Sequence, residues 1–126
     1  MTGHILLVDD DEVILETMAD FLTNQGYRLV LARSGQELVD LAPAIHADVI
    51  LTDIQMPGMD GIQAIRQIRA APDARLQRMP IIAVTALAMP GDEAMCLSAG
   101  ANQYVSKPVS LRILTEMIES LLAVTE

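Results

Sequence analysis

The sequence predicts an α/β protein, built as one open sheet of parallel strands with helices on both faces. Five apolar runs alternate with segments in which apolar residues recur at helical spacing. The runs are continuous rather than alternating with polar residues, which is typical of strands buried on both faces. The chain has 126 residues, 52% of them hydrophobic, so we expect a single domain over residues 1–126 with a sizeable core.

The five strands are predicted from short apolar runs that end in polar or turn-forming residues. Their ranges are 4–9, 27–32, 48–53, 81–86 and 102–106, with the sequences HILLVD, YRLVLA, DVILTD, IIAVTA and NQYVS. Each run is too short for an ordinary helix and is followed by a helical pattern or a turn. The alternation of strand and helix therefore favours parallel pairing.

Five helices are predicted between the strands and after the last one, and cap residues mark their ends. The segment 71–80, which contains prolines, is predicted as a loop. The boundary residues are Gly26 at the end of the first helix, the Ser34–Glu37 capping box at the start of the second, Pro90 in the first turn of the fourth, Gly100 at its end and Ser110 as N-cap of the fifth.

Composition excludes several classes of function. The net charge of −9 repels phosphate backbones, so we expect no nucleic-acid binding by this domain alone. No apolar run approaches the length of a membrane span, and the residues before the first strand lack the basic segment of a signal peptide. The single cysteine, Cys96, allows no internal disulfide and suits the cytoplasm, where we expect the protein.

Polar side chains collect at the carboxyl ends of the predicted strands. Asp9 and Asp10 end the first strand, Asp53 ends the third, Thr85 lies at the end of the fourth, and Lys107 follows the fifth. In an open parallel sheet these ends share one edge, and ligands bind there at the point where the winding reverses. We therefore expect three carboxylates, a hydroxyl and an ammonium to meet at one edge.

This set of side chains indicates a magnesium and phosphate site. Carboxylates in one cleft repel each other unless one binds a proton or a cation lies among them. Oxygen-only ligands favour Mg²⁺, and we assign Asp9 and Asp10 to the metal. Lys107 is the only lysine, and its compact ammonium suits a carboxylate or phosphate oxygen. We assign Asp11 and Glu12 instead to the first turn of the first helix, where the dipole favours acids.

Four segments together resemble the receiver domain of two-component response regulators and of hybrid sensor histidine kinases. They are ILLVDDDEVIL, DVILTDIQMPGMDGI, IIAVTA and GANQYVSKPV, and the match to the family covers essentially the whole chain. The resemblance implies a doubly wound (βα)5 flavodoxin-like fold with strand order 2-1-3-4-5. That order places the switch point between strands one and three, beside Asp9, Asp10 and Asp53.

The resemblance also implies a phosphorelay function. Asp53 would be the phosphoacceptor, attacking the phosphohistidine of a sensor histidine kinase or histidine phosphotransfer domain in a Mg²⁺-dependent reaction. Asp10, Asp53 and the backbone carbonyl of Gln55 would hold Mg²⁺, for which Mn²⁺ can substitute, and Asp9 would reach it through water. The chain would thus be a signalling phosphoacceptor that assists its own phosphoryl transfer and dephosphorylation, and no enzyme beyond that.

Further residues acquire implied roles in signalling. Lys107 and Thr85 would contact phosphoryl oxygens, and Thr85 together with Tyr104 would form the switch. The face of helix four, strand five and helix five would then change shape to control an unknown downstream protein, and it is a candidate surface for phosphorylation-dependent dimerisation. Gln55 and Leu87 occupy the positions that tune phosphate lifetime, and they predict slow to moderate self-dephosphorylation.

Three alternatives use the same sequence differently. LLVDDDEV also fits the opening motif of haloacid-dehalogenase-like phosphatases, with Asp9 as nucleophile and Asp11 as acid/base, but this leaves Asp53 unexplained. A flavin or dinucleotide binder needs glycines or hydroxyls after the first strand, where this chain has acids. A non-phosphorylated interaction module would need neither the acidic cluster nor Thr85 and Lys107.

Overall fold

A computed structural model describes residues 3–86 and 90–125, which form a five-stranded parallel sheet with helices on both faces. The strands are β1 (His4–Val8), β2 (Arg28–Ala32), β3 (Val49–Asp53), β4 (Ile81–Thr85) and β5 (Gln103–Ser106). Their order across the sheet is β2-β1-β3-β4-β5, and every neighbouring pair is parallel. The predicted fold and strand order are confirmed, and each strand is one residue shorter than its predicted range.

The described residues contain one more helix than predicted. The helices are α1 (Glu12–Asn24), α2 (Gly35–Leu41), α3 (Gly61–Ala70), α4 (Ala74–Gln77), α5 (Asp92–Ala99) and α6 (Leu111–Thr125). The prediction of a loop at 71–80 is wrong because the single helical turn α4 forms there. The Asp73 carboxylate accepts from the Arg75 amide at 2.9 Å at the start of this turn, and Leu76 within it is buried. The predicted fourth and fifth helices therefore correspond to α5 and α6.

Most predicted helix boundaries are confirmed. Gly26 and Gly100, with φ of 98° and 126°, follow α1 and α5 in the left-handed backbone region that glycine adopts readily. The Ser110 hydroxyl accepts from the Ile113 amide at 3.4 Å, as expected of an N-cap.

Two boundary predictions need correction. The Ser34 hydroxyl accepts from the Glu37 amide at 3.1 Å, which is the first of the two bonds of a capping box. In the second bond, the Glu37 carboxylate accepts from the Arg33 amide at 3.3 Å instead of from the Ser34 amide. Pro90 was expected in the first turn of a helix. The helix begins at Asp92 instead, because Gly91 turns the chain with φ of 93° and acts as its N-cap.

Alternating strand residues divide the core into two layers. In β1, Leu6 and Val8 pack with α2, α3, α4 and α5, while Ile5 and Leu7 pack on the opposite face with α1 and α6. The same alternation runs through β3 and β4, as expected when successive side chains point to opposite faces. Among the described residues, no helix has the length and apolar character needed to cross a membrane.

Arg69 ties α3 to the chain that enters β5, a contact that the sequence pattern did not predict. Its guanidinium donates to the Gly100 carbonyl at 2.7 and 3.0 Å, to the Leu76 carbonyl at 2.9 Å and to the Asn102 side-chain oxygen at 3.0 Å. The same Asn102 oxygen accepts from the Ile81 amide at 2.9 Å, at the start of β4. Arg69 thus joins α3, α4 and the chain entering β5, and Asn102 extends this link to β4.

We expect Arg69→Met to lower the free energy of unfolding by about 2 kcal/mol, because it leaves carbonyl groups without their charged donor. Urea unfolding would measure this loss. Arg66→Met is the matched control, since Arg66 is exposed on the same helix, and it should change stability by less than about 0.5 kcal/mol. Equal effects of the two substitutions would contradict the bridging role.

Candidate functional site

The two buried aspartates of the site lie at the ends of adjacent strands. Asp9 follows β1, where its amide continues the sheet by donating to the Ala32 carbonyl at 3.2 Å, and Asp53 is the last residue of β3. By strand alternation Asp9 shares the face of Ile5 and Leu7, which α1 and α6 cover. Asp53 follows Val49 and Leu51 on that face, and the two aspartates are only 3% and 5% exposed.

Lys107 joins these two carboxylates. Its ammonium lies 2.9 Å from Asp9 Oδ2 and 3.5 Å from Asp53 Oδ1. The backbone holds it in place, because the Lys107 amide donates to the Thr85 carbonyl at 2.7 Å and so extends the pairing of β4 with β5. The predicted meeting of acids and ammonium at one sheet edge is confirmed.

The buried carboxylates also accept hydrogen bonds from backbone amides. Asp9 Oδ1 accepts from the Asp11 amide at 2.9 Å, and Asp53 Oδ1 accepts from the Ile54 amide at 2.9 Å. Both oxygens of Asp9 therefore already accept a hydrogen bond, one from Lys107 and one from this amide.

Asp10 completes a cluster with the donor set of a divalent cation site. One carboxylate oxygen each from Asp9, Asp10 and Asp53 lies within 4.8 Å of the others. Asp10 is exposed whereas the other two are buried, so the cluster opens to solvent on one side. Clustered carboxylate oxygens with access to water suit Mg²⁺, which keeps several water ligands. The residues present thus fit the predicted metal.

Burial and like charge control the protonation of the site. Burial, together with the charge of Asp9, raises the pKa of Asp53 to about 6, although Lys107 opposes the shift. Burial alone would lower the pKa of Lys107, but its hydrogen bond to Asp9 and the charges of Asp53 and Asp9 raise that pKa overall. The ammonium therefore stays charged at neutral pH, while Asp53 titrates much closer to neutrality than an ordinary aspartate.

The other predicted site residues lie around this cluster. Thr85 is buried at the end of β4 and, with Gln55, lines a pocket of about 530 Å³. By alternation Thr85 shares the face of Ala83, opposite to Asp53. Tyr104, in β5, pairs with Ala83 in β4. Its half-buried side chain packs against the core layer that contains Ala83. The prediction for Leu87 lies outside the described residues.

The first turn of α1 shows one contact that sequence analysis missed. Asp11 is the N-cap as predicted, because its Oδ1 accepts from the Val13 and Ile14 amides at 3.0 and 3.2 Å. Glu12 also forms a two-pronged ion pair with Arg33, at 2.8 and 2.9 Å. No local pattern in the sequence links these two residues, which lie 21 positions apart. Both side chains are about half exposed, so the pair adds little stability.

The strand order and the carboxylates at its switch point are those that the resemblance to a receiver domain implies. The family model described as "Response regulator receiver domain" matches residues 5–119, and the chain belongs to this family. The resemblance in the sequence is thereby confirmed, and the chain is a signalling domain of the two-component type.

Individual relatives cover nearly the whole chain. The polar-differentiation response regulator DivK of Brucella ovis is 38% identical over 122 residues, covering 97% of this chain and 98% of its own. The receiver domain of sensor histidine kinase PA1611 from Pseudomonas aeruginosa, solved with a magnesium ion in its active-site cleft, is 36% identical with a TM-score of 0.83; the match covers 98% of this chain and 99% of that one. The receiver domain of Francisella response regulator 1452 is 27% identical with a TM-score of 0.89 and the same coverage.

In metal-free buffer we expect Asp53→Asn to raise the free energy of unfolding at about pH 7.5 by about 1–3 kcal/mol. The pKa of Asp53, about 6 in the folded protein, lies above the 3.8 of an ordinary aspartate. Between these values the folded state binds more protons, so the native protein loses stability as pH rises through that window. The gain from Asp53→Asn should therefore shrink as pH falls and vanish below about pH 4.

Urea unfolding with EDTA at a series of pH values would test this. Asp40→Asn is the control, because Asp40 is an exposed carboxylate on α2. A gain from Asp53→Asn that is independent of pH would show that burial does not raise the pKa of this carboxyl.

Proposed function

We propose that this receiver domain accepts a phosphoryl group on Asp53 from the phosphohistidine of a sensor histidine kinase or histidine phosphotransfer domain. The observation that carries the proposal is the Lys107 ammonium held 3.5 Å from Asp53 and 2.9 Å from Asp9 at the sheet edge. This arrangement provides a nucleophilic carboxylate with a cation beside it, where the charge of a phosphoryl group would need to be offset.

The transfer step uses the carboxylate as a nucleophile. An Asp53 oxygen attacks phosphorus, the new O–P bond forms, and the P–N bond to histidine breaks with its electron pair left on the imidazole. The product is an acyl phosphate. The attacking group must be ionised, and Lys107 favours this form because its positive charge opposes the effect of burial on the pKa of Asp53. The chain thus assists a transfer onto itself and acts on no separate substrate.

Magnesium would be held by Asp10, Asp53 and the backbone carbonyl of Gln55, with Mn²⁺ able to substitute. Asp9 would act through water, which agrees with both of its oxygens already accepting hydrogen bonds. The bound ion would offset charge on the transferred phosphoryl group. The magnesium ion in the cleft of the PA1611 receiver domain supports this assignment.

Thr85 and Tyr104 are proposed as the switch. They lie on adjacent strands and share one face by alternation, with Tyr104 packed against the layer that includes α5. Phosphorylation adds about −1.5 to −2 charge, which attracts the Thr85 hydroxyl. Tyr104 would follow, and the α5–β5–α6 face would present a changed surface to a downstream protein or to a second copy. We place these partners in the cytoplasm and expect no nucleic acid among them.

Incubation with Mg²⁺ and acetyl phosphate should add one phosphoryl group to the protein, measured by intact mass. Asp53→Asn should abolish the gain because it removes the nucleophile, and EDTA should abolish it because the metal is lost. Asp40→Asn, which removes an exposed carboxylate from α2, should leave it unchanged.

Two other outcomes would replace this proposal. No gain in the native protein would favour an interaction module that works without phosphorylation. Loss of the adduct in Asp9→Asn but not in Asp53→Asn would move the nucleophile to Asp9 and favour the phosphatase mechanism.

The acyl phosphate should persist well beyond seconds once the donor is removed. Gln55 and Leu87 occupy the positions proposed to tune its lifetime, and an aliphatic side chain such as Leu87 orders no water for attack on phosphorus. Intact mass at successive times after buffer exchange would give the decay rate. A lifetime of seconds would contradict the roles proposed for these two residues.

A further inference from the structure

A pocket of about 530 Å³ lies beside the phosphoacceptor, between the chain that follows β3 and the helix α5. Its volume falls within the range of protein sites that bind small molecules or side chains. Ile54 and Gln55, which directly follow Asp53, form part of its wall together with Thr85 at the end of β4. Met95 and Cys96 of α5 contribute part of the opposite side. The pocket thus lies between the phosphoacceptor segment and the proposed switch surface.

The lining of this pocket is mainly apolar and rich in methionine. Met56 is buried in the pocket wall, whereas Met95 is 51% exposed although it is a large apolar side chain. Methionine has a flexible and polarisable side chain, which adapts to partners of different shape. An apolar side chain of a partner would bury the exposed part of Met95 and gain contact area on entering.

The same pocket carries negative charge. Asp60 and Asp92 belong to its lining, and among the described lining residues none is a lysine or arginine. One Asp60 oxygen caps α3 by accepting from the Gln63 amide at 2.9 Å. The protein as a whole has a net charge of −9, so the field around the pocket favours cations. An entering segment would therefore combine apolar and basic side chains.

We propose that this pocket binds a partner-protein segment that places an apolar side chain between methionines while flanking basic side chains face Asp60 and Asp92. The inference deepens the function proposed above and rests on it for its regulation. Because Ile54 and Gln55 directly follow Asp53 and also form part of the pocket wall, a phosphoryl group on Asp53 changes the affinity of the pocket for that segment.

Methyl NMR on the full chain labelled with ¹³C at its eight methionine methyl groups would test the pocket directly. The probes are the capped tripeptides Arg-Leu-Arg, Arg-Ser-Arg and Glu-Leu-Glu. Arg-Leu-Arg should shift the signals of Met56 and Met95, whereas the other two should not, because each lacks one half of the required chemistry. Met18 and Met117 pack on the opposite face of the sheet and serve as internal references.

Substitutions then separate the two halves of the recognition. Met95→Ala should weaken Arg-Leu-Arg binding about fivefold through lost apolar contact, and Asp92→Asn should weaken it about two- to fivefold through lost attraction. Asp20→Asn removes the same charge from an exposed position on α1, at the other face, and should leave binding unchanged.

The same titration after treatment with acetyl phosphate and Mg²⁺ tests the regulation, with intact mass measured on each sample. A change of about fivefold or more in the dissociation constant, in a sample whose mass shows the phosphoryl group, is the expected result. Shifts at Met18 rather than Met56 and Met95, or equal shifts from all three peptides, would overturn the pocket. Unchanged affinity in verified phosphoprotein would overturn its regulation, and absence of the phosphoryl group with binding intact would overturn the proposed phosphorylation alone.

Discussion

The ion pair of Lys107 with Asp9 and Asp53 is the contact on which the rest of the site depends. Lys107 follows β5, Asp9 follows β1 and Asp53 is the last residue of β3. The lysine therefore reaches past the end of β4 to bridge strands that are not its neighbours. The chain separates Lys107 from Asp9 by 98 positions, and only the order of the sheet brings them together. A long side chain with a compact charge suits this span.

This arrangement has a cost in stability that other contacts offset. Two buried carboxylates at one edge repel each other, and the raised pKa of Asp53 reflects burial and the charge of Asp9. The strands that bring these charges together are stabilised by the apolar layers on both faces of the sheet and by the contacts of Arg69. Functional sites often combine such local destabilisation with support from the surrounding fold.

Much of the fold and the position of the site follow from local patterns in the sequence. Continuous apolar runs identified the strands, and their polar ends identified the site because parallel strands share an edge. The strand order came from the resemblance to a family, since apolar runs alone do not specify which strands are neighbours. The ion pair between Glu12 and Arg33 and the hydrogen bonds of Arg69 join residues that are far apart in the chain. Local sequence patterns therefore did not predict them. The helical turn α4 was not predicted because it lies between prolines and is too short to show helical periodicity.

Strand alternation also shows how the phosphoryl group proposed at Asp53 would influence the opposite layer of the molecule. Asp53 belongs by alternation to the face covered by α1 and α6, whereas Thr85 and Tyr104 belong to the face that α5 covers. A closely packed sheet separates the two faces along the length of its strands. At the carboxyl edge the strands end, and the chain after Asp53 passes to Gln55 and the pocket shared with Thr85. A phosphoryl group added at this edge, as we propose, would therefore be next to residues of both layers.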